Sequence, residues 1–303
     1  MEKSAFDASM STPPAAAPRE GEVVAPQLWY ELILRRCGLA FRTAKLADVM
    51  AIVRDQTKVR GLPNETAYYQ LLSKSGDSGP EWDALIERLI NHETSFFRHP
   101  PSFDALRRHI LPELRDGRAR GSRLNLYSAG CSTGQEAYSL AMVAMDDEGL
   151  NGEFTVWGGD ISRYAVDVAR RGRYGPRAIA SIPAEFRQRF VRPVGGEEPA
   201  AEYEFTNDLR QRVRFMTTNL VDADGFSATH DVIFCHNVLI YFSPAAVSQA
   251  VTFLASRLTL GGYLLLGPGE APSERPVGLV PVTINGVRGF QRRGTRPGSE
   301  VRA

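Results

Sequence analysis

Cysteine is scarce in this sequence: Cys37, Cys131 and Cys235 are the only three in 303 residues. An odd number so widely spaced excludes a disulfide framework and a zinc-ligand pair, so three small buried thiols are expected. Long apolar runs are missing as well. None approaches the roughly 20 residues that cross a bilayer, and the N-terminus lacks the basic-then-apolar order of a secretory signal. A cytoplasmic protein without direct membrane insertion is expected. Net charge is nearly absent, with 36 Lys and Arg against 35 Asp and Glu. A chain without a global basic field is a poor candidate for nucleic-acid binding. Locally the balance shifts. Between Arg35 and Arg60 seven basic residues (Arg35, Arg36, Arg42, Lys45, Arg54, Lys58, Arg60) face two acidic ones (Asp48, Asp55), a net of +5. Such a run is either a solvated helix face or a docking face for an acidic partner.

With 43% apolar residues, the chain can support one large or two medium cores. Residues 1–26 are rich in Ala, Pro, Ser and Glu without periodicity, the composition of a disordered leader, and 294–303 reads as a disordered tail. Helical spacing recurs over 27–101, as in Leu46, Val49, Met50 and Val53, and predicts an all-helical domain. A connecting helix is expected over Phe103 to Arg115, bent or interrupted at Pro112. After Gly121 strands alternate with helices: "RLNLYSAG", "GQEAYSLAMVAM", "FTVWGGD", "SRYAVDVARRG", "DVIFC", "SPAAVSQAVTFLASRL" and "GGYLLLG". This alternation predicts an α/β, doubly wound parallel sheet over 102–293. Ser243 is the expected N-cap of its helix, with Pro244 in the first turn. Asn285-Gly286 predicts an edge hairpin. Residues 177–214 fit neither period and read as a small inserted subdomain with an antiparallel hairpin.

The chemistry concentrates in a few places. "LNLYSAGCSTGQEAYS" joins a strand to a helix through small residues, Ala129 and Gly130 among them, which allow a ligand to approach backbone and helix N-terminal amides. Asp160 ends the next strand, where a carboxylate can take both hydroxyls of a ribose. It could also cap the helix that follows. No Lys follows the glycines, and Glu136 would repel a pyrophosphate, so a nucleoside with a cationic or zwitterionic tail fits better than a nucleotide. S-adenosylmethionine has that form. In "NHETSFFRHP", Pro100 and Pro101 read as the stop of a helix, with Phe96 and Phe97 docked in the core and Arg98 reaching outward.

The segments "NHETSFFRHP", "SAGCSTGQEAYSLAM", "GGDIS", "TTNL" and "DVIFCHNVLIYFSP", in this order and spacing, resemble the CheR family of chemotaxis receptor methyltransferases. The resemblance covers about residues 28–293. It implies a Rossmann-like S-adenosylmethionine methyltransferase domain with an N-terminal helical domain and a small inserted antiparallel β-subdomain. It implies methylation of glutamate side chains on the acidic methylation helices of a chemoreceptor's cytoplasmic domain, with S-adenosylhomocysteine as product; a monomer is expected. A catalytically weak cofactor-binding regulator or scaffold is the alternative. By motif position, Thr94 and Arg98 would reach into the active site and border the cofactor. Glu136 and Asp160 would bind the cofactor's polar groups. Asn219 and Leu220 would border the adenine, Asn237 and Val238 the methionyl side, and Tyr241 would stand close to the transferred methyl. Without the resemblance, Tyr241 reads as a core aromatic, Asn219 as a turn residue and Asn237 as a cap. The sequence departs from the family's pattern at His92, at His236 and at Gly267-Pro268-Gly269-Glu270. Both histidines read as packed or hydrogen-bonded side chains.

Overall fold

The helical period of the first third produces four helices in the computed structural model, which describes residues 24–40, 45–75, 79–117, 119, 122–196, 201–222 and 227–293. These are α1 (Pro26–Cys37), α2 (Leu46–Val59), α3 (Glu65–Lys74) and α4 (Pro80–Leu89). Proline in the first turn starts α1 and α4, where a missing N–H costs nothing. Gly38 ends α1 in the left-handed region, φ 73°, and returns its N–H to the Leu34 carbonyl. Trp29 is the centre of the bundle, fully buried, with Tyr68 and Tyr69 rings 5.6 and 5.4 Å away. Ile161 and Phe242, from the loops beyond, pack on the same cluster and join the bundle to the sheet. The expected leader, the tail and Arg42 lie, wholly or for the most part, outside the described residues.

Two expectations for the connection are corrected. Residues 91–95 have no regular structure and Phe96 and Phe97 form a turn, so the aromatics do not sit on a helix end. Pro100 and Pro101 open α5 (Pro100–Ala105) rather than stopping a helix, because proline at the first turn is preorganised for helix entry. The helix over 103–115 is interrupted as expected, by one π turn. Leu111 donates its N–H five residues back to Leu106, and the widened turn, Leu106–Ile110, accommodates Pro112 at the start of α6 (Leu111–Asp116).

The sheet strands are β1 (Leu124–Ala129), β2 (Phe154–Asp160), β6 (Val213–Thr217), β7 (His230–Cys235), β8 (Leu258–Leu266), β9 (Leu279–Ile284) and β10 (Val287–Arg292). Their spatial order is β6-β2-β1-β7-β8-β10-β9, parallel from β6 through β8, with β10 antiparallel to β8. Helices α7 (Gln135–Asp146), α8 (Arg163–Arg171) and α12 (Pro244–Ser256) are the crossovers. This is the doubly wound α/β fold. The order reverses between β1 and β7, and the carboxyl ends of those strands are where such sheets bind ligands. Ser243 caps α12 through its hydroxyl, 3.2 Å from the Ala246 N–H, as expected. Asn285 and Gly286, at φ 49° and 82°, make the β9–β10 hairpin. Among the described residues no helix is long and apolar enough to cross a membrane.

Between β2 and β6 a second sheet, order β3-β5-β4, consists of β3 (Arg173–Tyr174), β4 (Val191–Gly195) and β5 (Glu202–Phe205). It carries α9 (Pro176–Ile179), α10 (Ala184–Phe190) and α11 (Asn207–Arg210). The sequence indicated one hairpin over 177–214. A third strand, Arg173–Tyr174, pairs with the other edge of β5 and is too short to have a period to detect, and Val213–Thr217 pairs with β2 in the main sheet.

Candidate active site

A cavity of about 700 Å³ lies at the carboxyl ends of β1, β2 and β7, under the bundle and the connection over 91–99. Its floor begins where β1 ends. Gly130 has φ 73°, and a Cβ there would fall 2.3 Å from a Val238 methyl, so the loops after β1 and β7 meet only because this residue is glycine. Gly130 and Cys131 both donate their N–H to the Gly159 carbonyl, at 2.8 and 3.0 Å. Ala129 does not line the cavity. It ends β1 with its methyl in the core around α12, 1% exposed.

Asp160 ends β2 and is 8% exposed. Its Oδ2 accepts the Ser132 N–H at 2.7 Å and its Oδ1 the Ser162 N–H at 2.9 Å. Burial raises its carboxyl above the usual value, and the two amides act against that rise. The helix-cap alternative fails: Ser162 caps α8, its hydroxyl accepting the Ala165 N–H at 2.9 Å.

At the other end, Glu136 is set by two donors. The Ser128 hydroxyl reaches Oε1 at 2.7 Å, and His236 Nδ1 lies 2.9 Å from Oε2. The His236 side chain is 5% exposed, and its Nε2 is 3.3 Å from Ser102 Oγ, itself 2.7 Å from His99 Nδ1. Burial, then the neighbouring His236, lower the pKa of His99. His236 is therefore hydrogen-bonded, as the sequence suggested, and Ser102 and His99 join it.

Thr94 and Arg98 are on the cavity wall. Phe97 holds φ 52°, unusual for an aromatic. Its N–H bonds Ser139 Oγ at 3.0 Å, and its ring stacks on Phe186 at 5.2 Å. Phe96 packs against Tyr174 and Phe205. Both aromatics thus anchor a strained turn that turns Arg98 outward to the cavity wall, with Nη1 held 2.9 Å from the Glu93 carbonyl.

Asn219 and Leu220 line the cavity beyond β6. The Asn219 side chain donates to the Arg36 carbonyl at 2.7 Å and accepts the Val221 N–H at 3.2 Å, so it ties α1 to this loop. Asn237 and Val238 follow β7, with Asn237 at φ 60°. Their amides, and that of Ile240, converge on Glu270 at 2.7, 2.7 and 3.3 Å. Glu270 is 3% exposed and was missed as an organising residue. Its sequence signals were a carboxylate just past a core strand and its place in the Gly267-Pro268-Gly269-Glu270 stretch. Tyr241 is 41% exposed at the cavity mouth beside Ile240, which rules out the core-aromatic alternative. All three thiols are buried as expected.

The basic run is partly consumed. Arg36 pairs with Asp222 at 3.4 Å and Arg60 pairs with Glu81. Arg35, Lys45, Arg54 and Lys58 remain exposed, and Lys45 reaches the cavity rim.

Residues 92–279 match the family model for the CheR methyltransferase, SAM binding domain. The chain is 33% identical over 276 residues to a probable biofilm formation methyltransferase, WspC, of Pseudomonas aeruginosa, covering 88% of this chain and 63% of that protein. It is 31% identical to a chemotaxis protein methyltransferase of Borreliella burgdorferi, covering 79% of this chain and 85% of that one. An uncharacterized 104.1 kDa protein of Rhodobacter capsulatus is 32% identical over 76% of this chain, which spans 24% of its length. Among solved structures, a magnesium protoporphyrin IX methyltransferase from Synechocystis PCC 6803 aligns at TM-score 0.34 and 16% identity over 80% of this chain and 99% of that one. The motifs that carried the resemblance fall on the walls of one cavity, and the family model, from His92 to Leu279, covers the sheet-side wall of it: the chain belongs to the CheR methyltransferase family.

Proposed function

We propose that this protein uses S-adenosylmethionine to methylate glutamate side chains of a chemoreceptor. The observation that carries this is the pairing of two carboxylates in one cavity, Asp160 and Glu136, with a guanidinium, Arg98, on the wall between bundle and sheet. The donor set fits the cofactor. Each Asp160 oxygen gives one acceptor site to a backbone amide and keeps another, enough for a ribose diol. Glu136 suits an ammonium, and no lysine follows the glycines to receive a phosphate. The volume is ample for a ligand of that size.

Bound there, the cofactor supplies a methyl group on a positively charged sulfur. Asn219 and Leu220 would border its adenine, Asn237 and Val238 its methionyl arm, and Thr94 the same cleft. Arg98 would hold the substrate carboxylate in its planar fork, orienting more than activating it. Tyr241 would stand beside the methyl and help exclude water at the mouth. A glutamate, pKa about 4.3, is already ionised at neutral pH, so no base has to be supplied and the hydrogen-bonded histidines are not required as one. Exposed Arg35, Arg54 and Lys58 suit the acidic methylation helices of the receptor's cytoplasmic domain.

Labelled S-adenosylmethionine incubated with chemoreceptor cytoplasmic fragments, followed by mass spectrometry, tests the assignment. Methyl esters on glutamate are expected. Tight S-adenosylhomocysteine binding with no transfer to any receptor would replace the enzyme by a cofactor-binding regulator.

A further inference from the structure

Glu87, in the last turn of α4, has no part in the chemistry proposed above, yet it is one of the places where the helical bundle touches the nucleoside end of the cavity. Its Oε2 accepts from the Ser162 hydroxyl, and its Oε1 lies 2.6 Å from His92 Nε2, a close approach without hydrogen-bond alignment. Ser162 gives its backbone N–H to Asp160 Oδ1 at 2.9 Å, and Asp160 Oδ2 takes the Ser132 N–H at 2.7 Å. The Ser132 hydroxyl closes the circuit on the His92 carbonyl, 3.2 Å away. Glu87, Ser162, Asp160, Ser132 and His92 therefore form one polar ring. It runs through α4, the connection after it, and the loops after β1 and β2.

The ring bears on the ligand because Asp160 is at its centre. The acceptor sites left on the Asp160 carboxylate point wherever Ser132 and Ser162 hold it. His92 and Glu87 hold those two serines in turn. Ser162 serves twice: it accepts the Ala165 N–H at 2.9 Å as the cap of α8 and donates its own proton to Glu87. The first turn of α8 and the end of α4 thus share one hydroxyl as their reference point.

We propose that Glu87 is a positioning residue for the nucleoside: by fastening α4 to Ser162 and His92 it fixes the Asp160 carboxylate, so that docking of the helical bundle and binding of the ribose are coupled. This rests on the assignment of S-adenosylmethionine to the cavity. Coupling is reciprocal, so if the docked bundle favours the ligand, the ligand must steady the bundle. A second pair on the same seam, Asp83 with Arg163 at 2.9 Å, provides a control, because the Arg163 side chain is 60% exposed and such pairs contribute little.

The experiment is calorimetry with S-adenosylhomocysteine together with hydrogen exchange of the α4 amides, on the full chain. Glu87→Met keeps length and bulk and removes both acceptors. It is expected to weaken binding about tenfold and to abolish the slowing of α4 exchange that the ligand causes in the parent. Glu87→Gln keeps an acceptor for the Ser162 hydroxyl and is expected to restore most of both. Asp83→Asn is expected to bind within about twofold of the parent. Parent-like affinity in Glu87→Met, or parent α4 exchange indifferent to the ligand, overturns the proposal. Equal losses in the Met, Gln and Asp83→Asn variants would mark general loosening and overturn it too. A parent that binds no S-adenosylhomocysteine removes the cofactor assignment itself, and the coupling with it.

Discussion

Asp160→Asn keeps the shape of the side chain and removes its charge. In the parent, two backbone amides share the two carboxylate oxygens, Ser132 at 2.7 Å and Ser162 at 2.9 Å. Asparagine has one oxygen and one NH2, so one of those amides must face a donor. At a site 8% exposed, the orphaned amide costs about 1–3 kcal/mol of stability. The ligand loses separately. Hydrogen bonds to a charged group contribute about 1.5–3 kcal/mol, so S-adenosylhomocysteine affinity should fall roughly 10- to 150-fold. The two effects are separable by order of measurement. Thermal melting comes first and should show a drop of several degrees; calorimetry follows at a temperature well below both midpoints. A variant that melts lower but binds like the parent would refute the ribose assignment and leave Asp160 as a tie between two loops.

Arg98→Ala should leave S-adenosylhomocysteine affinity nearly intact while cutting methyl-ester formation by about two orders of magnitude, with little recovery in Arg98→Lys; unchanged turnover would return Arg98 to a loop contact with Glu93. His230 is buried against Tyr127, and burial, then Arg257, lower its pKa from 6.5 to about 4. The unfolded chain therefore binds an extra proton in that window, so stability should fall with acidification from 6.5 by at most about 3 kcal/mol. Urea midpoints between those pH values should flatten in His230→Gln, and an identical slope would assign the acid sensitivity elsewhere. Charge reversal at exposed Arg54 and Lys58 should slow receptor methylation at low salt without changing cofactor affinity, and high salt should mimic it in the parent. An unchanged rate would make that stretch only a solvated face.

What could be read from the sequence was what period and local chemistry encode. The strands beneath the cavity, β1, β2 and β7, are apolar runs ended by small or polar residues, and Asp160 stood out because it closes the second of them. Arg173–Tyr174 is too short to have a period, and the edge strand Val213–Thr217, only half-buried, looked like part of the insertion beside it. Proline has two opposite meanings at a helix boundary. At Pro100 the local sequence favoured a stop, and the structure uses it as a start. Charges were visible and their partners were not: Arg36 finds Asp222 and Arg60 finds Glu81 across distances only the tertiary fold sets. Glu87, Ser102 and Glu270 were missed for the same reason. A carboxylate or hydroxyl organises a site through the groups it meets in space.

Glu270 shows what such a hidden carboxylate does. Among the described residues five non-glycine positions have positive φ, and three of them, Phe97, Ser132 and Asn237, border the cavity or adjoin its wall. A left-handed residue costs roughly 1–2 kcal/mol and persists when its surroundings hold it. Phe97 is held by Phe186 and Ser139, Ser132 by Asp160 and His92, and Asn237 by Glu270. Glu270→Gln would present an NH2 to at least one of the three amides, and the least costly arrangement turns it toward Asn237, which donates alone to Oε2. Stability should fall by about 1–3 kcal/mol. Part of that loss should reflect Asn237 leaving its strained conformation. In an Asn237→Gly background there is no strain left to restrain. The cost of Glu270→Gln should then differ from its cost in the parent by about 0.5 kcal/mol or more, measured as a double-mutant cycle in urea. Strict additivity would mean that Glu270 only satisfies three backbone amides, and that the turn behind the methionyl end of the cavity keeps its shape without it.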